Sequence, residues 1–425
     1  MIGVLVSVLL ILILMSIPIS AVLFLLSLYI DHSLSPMPLY RALGSILWGA
    51  STNYTLIAIP LFIMMGQILL KSGIAGRMYR ALSFWLSWLP GGLMHSNIGS
   101  CALFAATSGS SVATSATIGT VAMPEMERYK YNQPLFLGTL AAGGTIGILI
   151  PPSINMIIYG VLTQTSIPRL YLAAMIPGVL LALTFMAIVL VICLIKPSYG
   201  GERTRITGET AWSTIKYIFP PLGIFVIVIG SIYAGLATPT ESAALGVLAA
   251  FALATYFRQM SRALIWECVE GTIRITAMVM LIIIAAYCLN FMLASAGVTA
   301  QINSFIRDVG LSPFETLMMV IVFYIVVGCF METLSLMVAT VPITAAIVIG
   351  VGYDAIWFGV VVMLLIEIAM ITPPIGVNLY VIQSVRNRGN VADVMIGVIP
   401  FFIGLLIVLA LVIAFPGLAL WLPNL

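Results

Sequence analysis

Charge is what this chain has least of. Of its 425 residues, 7% are charged, against 62% that are hydrophobic, with 17 Lys+Arg and 14 Asp+Glu. A soluble domain carries about 25% charged residues. So few charges cannot cover a 45.6 kDa soluble globule, and the mean hydropathy of +1.19 agrees. The scarcity excludes a soluble enzyme and a disordered scaffold. A net charge of +3, thinly spread, gives nucleic acid nothing to bind.

Histidine and cysteine are also rare, at 2 and 5 residues. His32 and His95 are far apart, and neither has a Cys or carboxylate cluster at metal-ligand spacing. Cys101, Cys193, Cys268, Cys288 and Cys329 form no CxxC pair and read as buried, reduced thiols. A P-loop GxxxxGK[ST] is missing, so the chain does not hydrolyse ATP by that route. The N-terminal apolar run lacks a basic leader and a small-x-small cleavage site before Asp31, and it reads as a first span rather than a cleaved signal.

What the chain has in quantity is apolar sequence of membrane-spanning length. Full crossings are expected at about 2–30, 45–70, 134–164, 168–195, 217–235, 240–257, 275–297, 357–384 and 396–420. Two further apolar segments, 92–124 and 312–350, are interrupted at mid-length by small polar residues. Their centres are Thr107-Ser-Gly-Ser-Ser-Val-Ala-Thr114 and Met331-Glu-Thr-Leu-Ser335. Backbone in hydrocarbon must satisfy its own hydrogen bonds, so such breaks survive only inside protein or beside a cavity. Both segments are therefore expected to be re-entrant hairpins. With a cytoplasmic N-terminus, every basic residue except Arg41, Arg169 and Arg307 falls on the cytoplasmic side, as the positive-inside rule requires. The two hairpins then enter the membrane from opposite faces.

The halves also match in sequence. Each runs span, hairpin, then an interrupted span in which Pro-Pro is followed closely by Asn: Pro151-Pro152 with Asn155, and Pro373-Pro374 with Asn378. Opposed hairpins and matched broken helices are the marks of a secondary transporter with its site between repeats. The expected fold is an all-α polytopic membrane protein, an inverted repeat with two re-entrant helical hairpins and two broken helices. The expected organisation is scaffold spans over 1–70, a first arm helix, hairpin and broken helix over 71–165, and scaffold spans over 166–274 with a cytoplasmic loop at 196–216. A second span, arm helix, hairpin and broken helix follow over 275–385, then a C-terminal span over 386–425. Segments 76–90 and 298–311 read as interfacial amphipathic helices.

The chemistry should sit at the breaks. Proline pairs remove backbone donors and free carbonyls one turn earlier. With Ser and Thr hydroxyls these form hard-oxygen sites suited to Na⁺. Helix N-termini at the tips favour an anion. No Arg or Lys falls in the middle of any span, so a carboxylate substrate would be held by dipoles, hydroxyls and nearby cations. Intramembrane acids default to function. Glu332, at the second tip, is the strongest such candidate. Glu241, in Thr238-Pro-Thr-Glu241, reads as a helix cap. Glu367 is open between pairing and a site role, and Asn155 and Asn378 between binding substrate and satisfying freed carbonyls.

At these residues the sequence resembles the large membrane subunit (M subunit, DctM-like) of tripartite ATP-independent periplasmic (TRAP) transporters. The resemblance rests on Ala105 to Thr117, Ala141 to Ile154, Ala237-Thr-Pro-Thr-Glu-Ser242 and Ile371-Thr-Pro-Pro-Ile-Gly-Val377, in order, and covers essentially the whole chain. It implies a non-enzymatic, Na⁺-driven importer in a bacterial inner membrane, with N-terminus cytoplasmic and C-terminus periplasmic. The partners it implies are a small four-helix membrane subunit and a periplasmic substrate-binding protein, besides membrane lipid. It further implies an elevator-type fold with a mobile body on a static scaffold. One Na⁺ would lie among Ser108, Ser110, Gly147, Ile150 and Pro151, and a second among Gly328, Ala369, Thr372 and Ile375. Substrate would contact Ser110, Asn155 and Glu332, the last standing where many relatives carry Asp. Dicarboxylates, sialic acid, keto acids, sugar acids and ectoine-like zwitterions all fit as substrates. The alternatives are a stand-alone Na⁺/carboxylate symporter of related architecture and, more distantly, an intramembrane enzyme or a channel.

Overall fold

The computed structural model describes all residues except 1–6, 10, 13, 14, 16, 203–210, 299, 302, 303 and 305–309, and omits the side chains of 211–213. The described residues are helical, without strands. Six helices are long and apolar enough to cross a membrane: Tyr54–Lys71, Ile167–Ile195, Thr214–Tyr233, Arg262–Ser295, Thr333–Gly350 and Val391–Ala414.

Both interrupted segments are hairpins. The first pairs Leu93–Ser108 with Ser111–Arg128 and turns at Gly109 and Ser110. Gly109 takes a left-handed φ of 62°, which a residue with a Cβ would adopt only under strain. The second pairs Pro313–Gly328 with Thr333–Gly350 and turns over 329–332. Both Pro-Pro spans are broken as expected. Gln133–Thr145 ends in the 3₁₀ turn Ile146–Ile148 and resumes as Ile154–Thr163, while Ala355–Ile371 resumes as Val377–Arg386. Pro151–Pro152 and Pro373–Pro374 are both cis.

Several boundaries differ from the sequence expectation. The first apolar run is not one helix over 2–30. Proline lacks an N–H and disfavours helix in the residue before it, so the helix Ile19–Ser33 starts only after Pro18. The run 45–70 divides in two. Leu39–Ser51 is a separate helix with only Leu39 and Ala50 buried. Asn53 then starts a new turn by accepting a hydrogen bond from the Thr55 N–H (3.0 Å), and the crossing begins at Tyr54. The helix placed at 275–297 begins at Arg262, because Ser261 caps it through the Leu264 N–H at 3.1 Å. Ala211–Tyr233 starts inside the expected loop 196–216, of which 203–210 lie outside the described residues, as does most of the amphipathic segment expected at 298–311.

The packing falls into two groups. Ile19–Ser33, Leu39–Ser51, Tyr54–Lys71, Ala211–Tyr233, Pro239–Tyr256 and Arg262–Ser295 pack among themselves. The hairpins and broken helices pack against each other, and Ile167–Ile195 and Val391–Ala414 pack with them. The closest approach joins Gln133–Thr145 to Val391–Ala414, where Gly138 and Gly397 present bare backbone. A Cβ on Gly138 would overlap the Gly397 carbonyl, and one on Gly397 the Pro134 carbonyl. Small residues allow this contact, which membrane helices use in place of a hydrophobic driving force. The arm helix Ile74–Leu86 follows Gly73, whose φ of 68° turns the chain. It leans on Ala211–Tyr233, where Trp85 Nε1 donates to Thr214 Oγ1 at 3.1 Å.

Candidate functional site

The two hairpin tips meet the two breaks. A Cβ on Gly109 would lie 3.1 Å from the Pro152 carbonyl oxygen, so the first tip rests on the first break. Gly147 sits in the 3₁₀ turn with Ala105 and Ser111 against it. Ser108 Oγ and Thr114 Oγ1 are 3.0 Å apart, and Thr114 Oγ1 donates to the Ser110 carbonyl at 2.7 Å. Ser111 Oγ is buried there without a hydrogen-bond partner among the described residues. In the second half Gly328 packs on Ala369, whose Cβ would be 2.7 Å from a Cβ placed on the glycine. The Ile375 N–H donates to the Cys329 carbonyl at 3.1 Å, tying the second tip to the second break. Thr372 donates its N–H to the Ala369 carbonyl (3.3 Å) and its hydroxyl to the Ile368 carbonyl (2.6 Å). Each set of residues expected to form an ion site thus belongs to one tip and its facing break. The geometry follows from proline chemistry: residues 151 and 373 cannot donate to the carbonyls of Gly147 and Ala369 four positions earlier.

Ser110, Asn155 and Glu332 come together, although the chain separates them widely. All three line one cavity of about 380 Å³. Ser110 caps the second arm of its hairpin, accepting from the Ala113 N–H at 3.4 Å. Glu332 caps the second arm of the other. Its Oε2 accepts from the N–H groups of Leu334 (3.0 Å) and Ser335 (3.2 Å) and from Ser335 Oγ (3.2 Å), which leaves Oε1 without a partner among the described residues. Asn155 makes no hydrogen bond among the described residues. The opposite wall comes from Tyr54–Lys71 and Arg262–Ser295, through Ile63, Gln67, Met278 and Val279 among others. Among the described residues the lining holds no Lys, Arg or His.

Three open residues are placed by the structure. Asn378, the counterpart of Asn155, is fully buried and donates to the Ala141 carbonyl at 3.0 Å, so it braces the first broken helix and lies outside the cavity lining. Glu367 is fully buried behind the cavity, with Thr145 Oγ1 at 3.4 Å from its Oε2. These two residues are 222 positions apart, the same interval as Pro151 to Pro373, so the repeats face each other here through equivalent positions. Glu241 completes a capping box with Thr238, accepting its N–H and hydroxyl at 2.8 Å each. His95 is buried at the base of the first hairpin with Nε2 2.8 Å from the Pro90 carbonyl. Among the described residues no group of three or more His, Cys, Asp or Glu could hold a metal ion. Sequence reasoning missed Gln67. It falls within an apolar run, and only the fold shows that it faces the hairpin tips.

Residues 6–418 match the family model described as "Tripartite ATP-independent periplasmic transporter, DctM component". The chain is 34% identical over 388 residues to the C4-dicarboxylate TRAP transporter large permease protein of Pseudomonas aeruginosa, covering 90% of each. It is 32% identical over 380 residues to the sialic acid TRAP transporter large permease protein of Vibrio cholerae, covering 89% of this chain and 88% of that one. In fold it is similar to the Alcanivorax borkumensis YdaH transporter, with a TM-score of 0.60, 14% identity, and coverage of 95% of this chain and 98% of that one. Broken helices, hairpin tips and whole-length sequence match lead to the same place: the chain is a multi-pass membrane transport protein and belongs to the DctM family, the large permease component of TRAP transporters.

Proposed function

We propose that this chain is the permease subunit of a Na⁺-coupled symporter that imports an organic acid. The observation that carries the reading is the convergence of Ser110, Asn155 and Glu332, from two hairpins and a break, on one cavity. An acid entering it meets hydroxyls, an amide and two helix N-termini, and no fixed cation. Placing a carboxylate beside the Glu332 carboxylate is repulsive, so cations must accompany the substrate. The sets Ser108, Ser110, Gly147, Ile150, Pro151 and Gly328, Ala369, Thr372, Ile375 would bind one Na⁺ each, directly behind the tips. Substrate affinity then depends on Na⁺ by linkage, which is the physical content of coupling.

The mobile body in this proposal contains the hairpins and broken helices. Ile167–Ile195, expected from the sequence among the scaffold spans, and Val391–Ala414 would move with them, since they pack against them; the remaining helices form the scaffold. A small membrane subunit would dock on that scaffold, and a periplasmic binding protein would deliver the acid. The N-terminus is proposed to be cytoplasmic, on the distribution of basic residues.

The ion sites are tested by Ser110→Ala. Removing the hydroxyl is expected to raise the half-saturating Na⁺ concentration for uptake by roughly three- to tenfold, the loss of one hydrogen-bond-strength ligand. An unchanged Na⁺ dependence would reduce Ser110 to a helix cap.

A further inference from the structure

The polar groups of the cavity are unevenly distributed. Ser110, Ser111, Asn155, Glu332 and Thr333 come from the hairpins and the break. The wall built by Tyr54–Lys71 and Arg262–Ser295 is apolar, through Ile63, Leu70, Ile275, Met278 and Val279, with one exception. That exception is Gln67. Its amide makes no hydrogen bond among the described residues, although it carries two donors and an acceptor. On an otherwise apolar wall such a group is available to a ligand.

The site is also shaped to hold it. Lys71, one turn beyond Gln67, pairs with Glu267 at 2.9 Å and locks the two helices together. One turn beyond Glu267 is Gly271. A Cβ there would lie 3.1 Å from Gln67 Oε1 and 3.3 Å from its Cδ. The glycine leaves the room the amide occupies, and the ion pair one turn away lies on the same helix contact.

We propose that Gln67 is a specificity-determining residue, the one hydrogen-bonding group that this wall offers to the transported acid. It would take a polar substituent, a hydroxyl or second carboxylate, projecting away from the hairpin tips. This rests on the transporter reading above. The Gln67 amide gives the ligand one polar contact on the wall opposite the tips, so an acid with polar groups at both ends fits better than one with a plain alkyl tail.

The test is uptake kinetics in proteoliposomes holding the chain with its small subunit and binding protein. Labelled succinate, N-acetylneuraminate, pyruvate, gluconate and ectoine serve as probes, one for each class of acid that fits. Gln67→Met keeps the side-chain length and removes the hydrogen bonds. For the acid that wild type accumulates, KM is expected to rise about five- to tenfold. The maximal rate, and the half-saturating Na⁺ concentration measured at saturating acid, should stay the same, as they would not if the variant merely loosened the fold. Gln67→Glu adds a negative charge to the same wall and should raise KM further. Gly271→Ala keeps the amide but displaces it, and should raise KM less than Gln67→Met. A KM within twofold of wild type in Gln67→Met overturns the inference and leaves the transporter reading intact. Wild type that accumulates none of the probes overturns both.

Discussion

Glu332→Gln is expected to lower uptake efficiency roughly 10- to 100-fold while leaving the amount of folded protein unchanged, because it removes the negative charge that favours the cations accompanying the acid. The two oxygens of this carboxylate have different tasks. Oε2 accepts from Leu334 N, Ser335 N and Ser335 Oγ and closes the start of Thr333–Gly350. A glutamine carbonyl can accept the same bonds, so the helix keeps its cap. Oε1 has no partner among the described residues, and Glu332 lines the cavity. Glutamine removes the charge there and puts an NH₂ donor in place of an acceptor oxygen. Glu332→Ala removes both functions and should in addition destabilise the protein by about 1 kcal/mol, the usual cost of losing an N-cap. The pair of variants separates cap from site by comparing thermal midpoint with uptake. Normal uptake in Glu332→Gln would make the residue a cap alone.

The second large effect is on folding. Gly397→Val and Gly138→Val should each abolish a monodisperse, folded species in detergent. At both positions the added carbon meets carbonyl backbone of the facing helix, which cannot rotate away as a side chain could. The helices must separate, and because each backbone lies against the other along this seam, the separation spreads beyond one turn. Overpacking a well-filled site costs about 1–3 kcal/mol even when side chains can yield. Gly223 is the internal control: it too lies in a helix, but a Cβ there has nothing within 4 Å. Gly223→Ala should be neutral or stabilising by up to about 1 kcal/mol, the difference in helix propensity. Size-exclusion profiles and thermal midpoints of the three variants decide the matter. A wild-type profile for Gly397→Val would show that the seam is not tight.

How much of this was legible in the chain follows from which residues carry local signals. Both hairpins, both broken helices and the Thr238–Glu241 cap were legible, because Pro, Gly and Ser in an otherwise apolar sequence dictate backbone geometry within a few residues. The meeting of Ser110, Asn155 and Glu332 was expected only from the family resemblance; the repeat itself set each tip against its own break. Helix ends were less accessible. Pro18 and Asn53 each interrupt an apolar run, and hydropathy alone reads through a single such residue. The start at Arg262 was hidden because Glu267, Glu270 and Arg274 are charged, yet Glu267 and Glu270 pair with Lys71 and Arg274.

Contacts between distant helices were not legible at all. Nothing local marks Gly397 as the partner of Gly138, or tells that Asn155 faces a cavity while Asn378 is buried under Ala141. Equivalent residues of a repeat diverge once the two halves stop being surrounded alike. Gln67 belongs to the same class, since its neighbours along the chain are apolar and its significance comes from what lies opposite.

The central claim is that a Na⁺ gradient drives an organic acid through this chain. It is tested most directly by uptake into proteoliposomes containing the chain, its small subunit and its binding protein, comparing an inward Na⁺ gradient with an equal inward K⁺ gradient over a panel of labelled acids. Accumulation above equilibrium with Na⁺ and none with K⁺ is the expected result. Equal uptake under both gradients would contradict the coupling, and with it the assignment of ion sites to the two breaks.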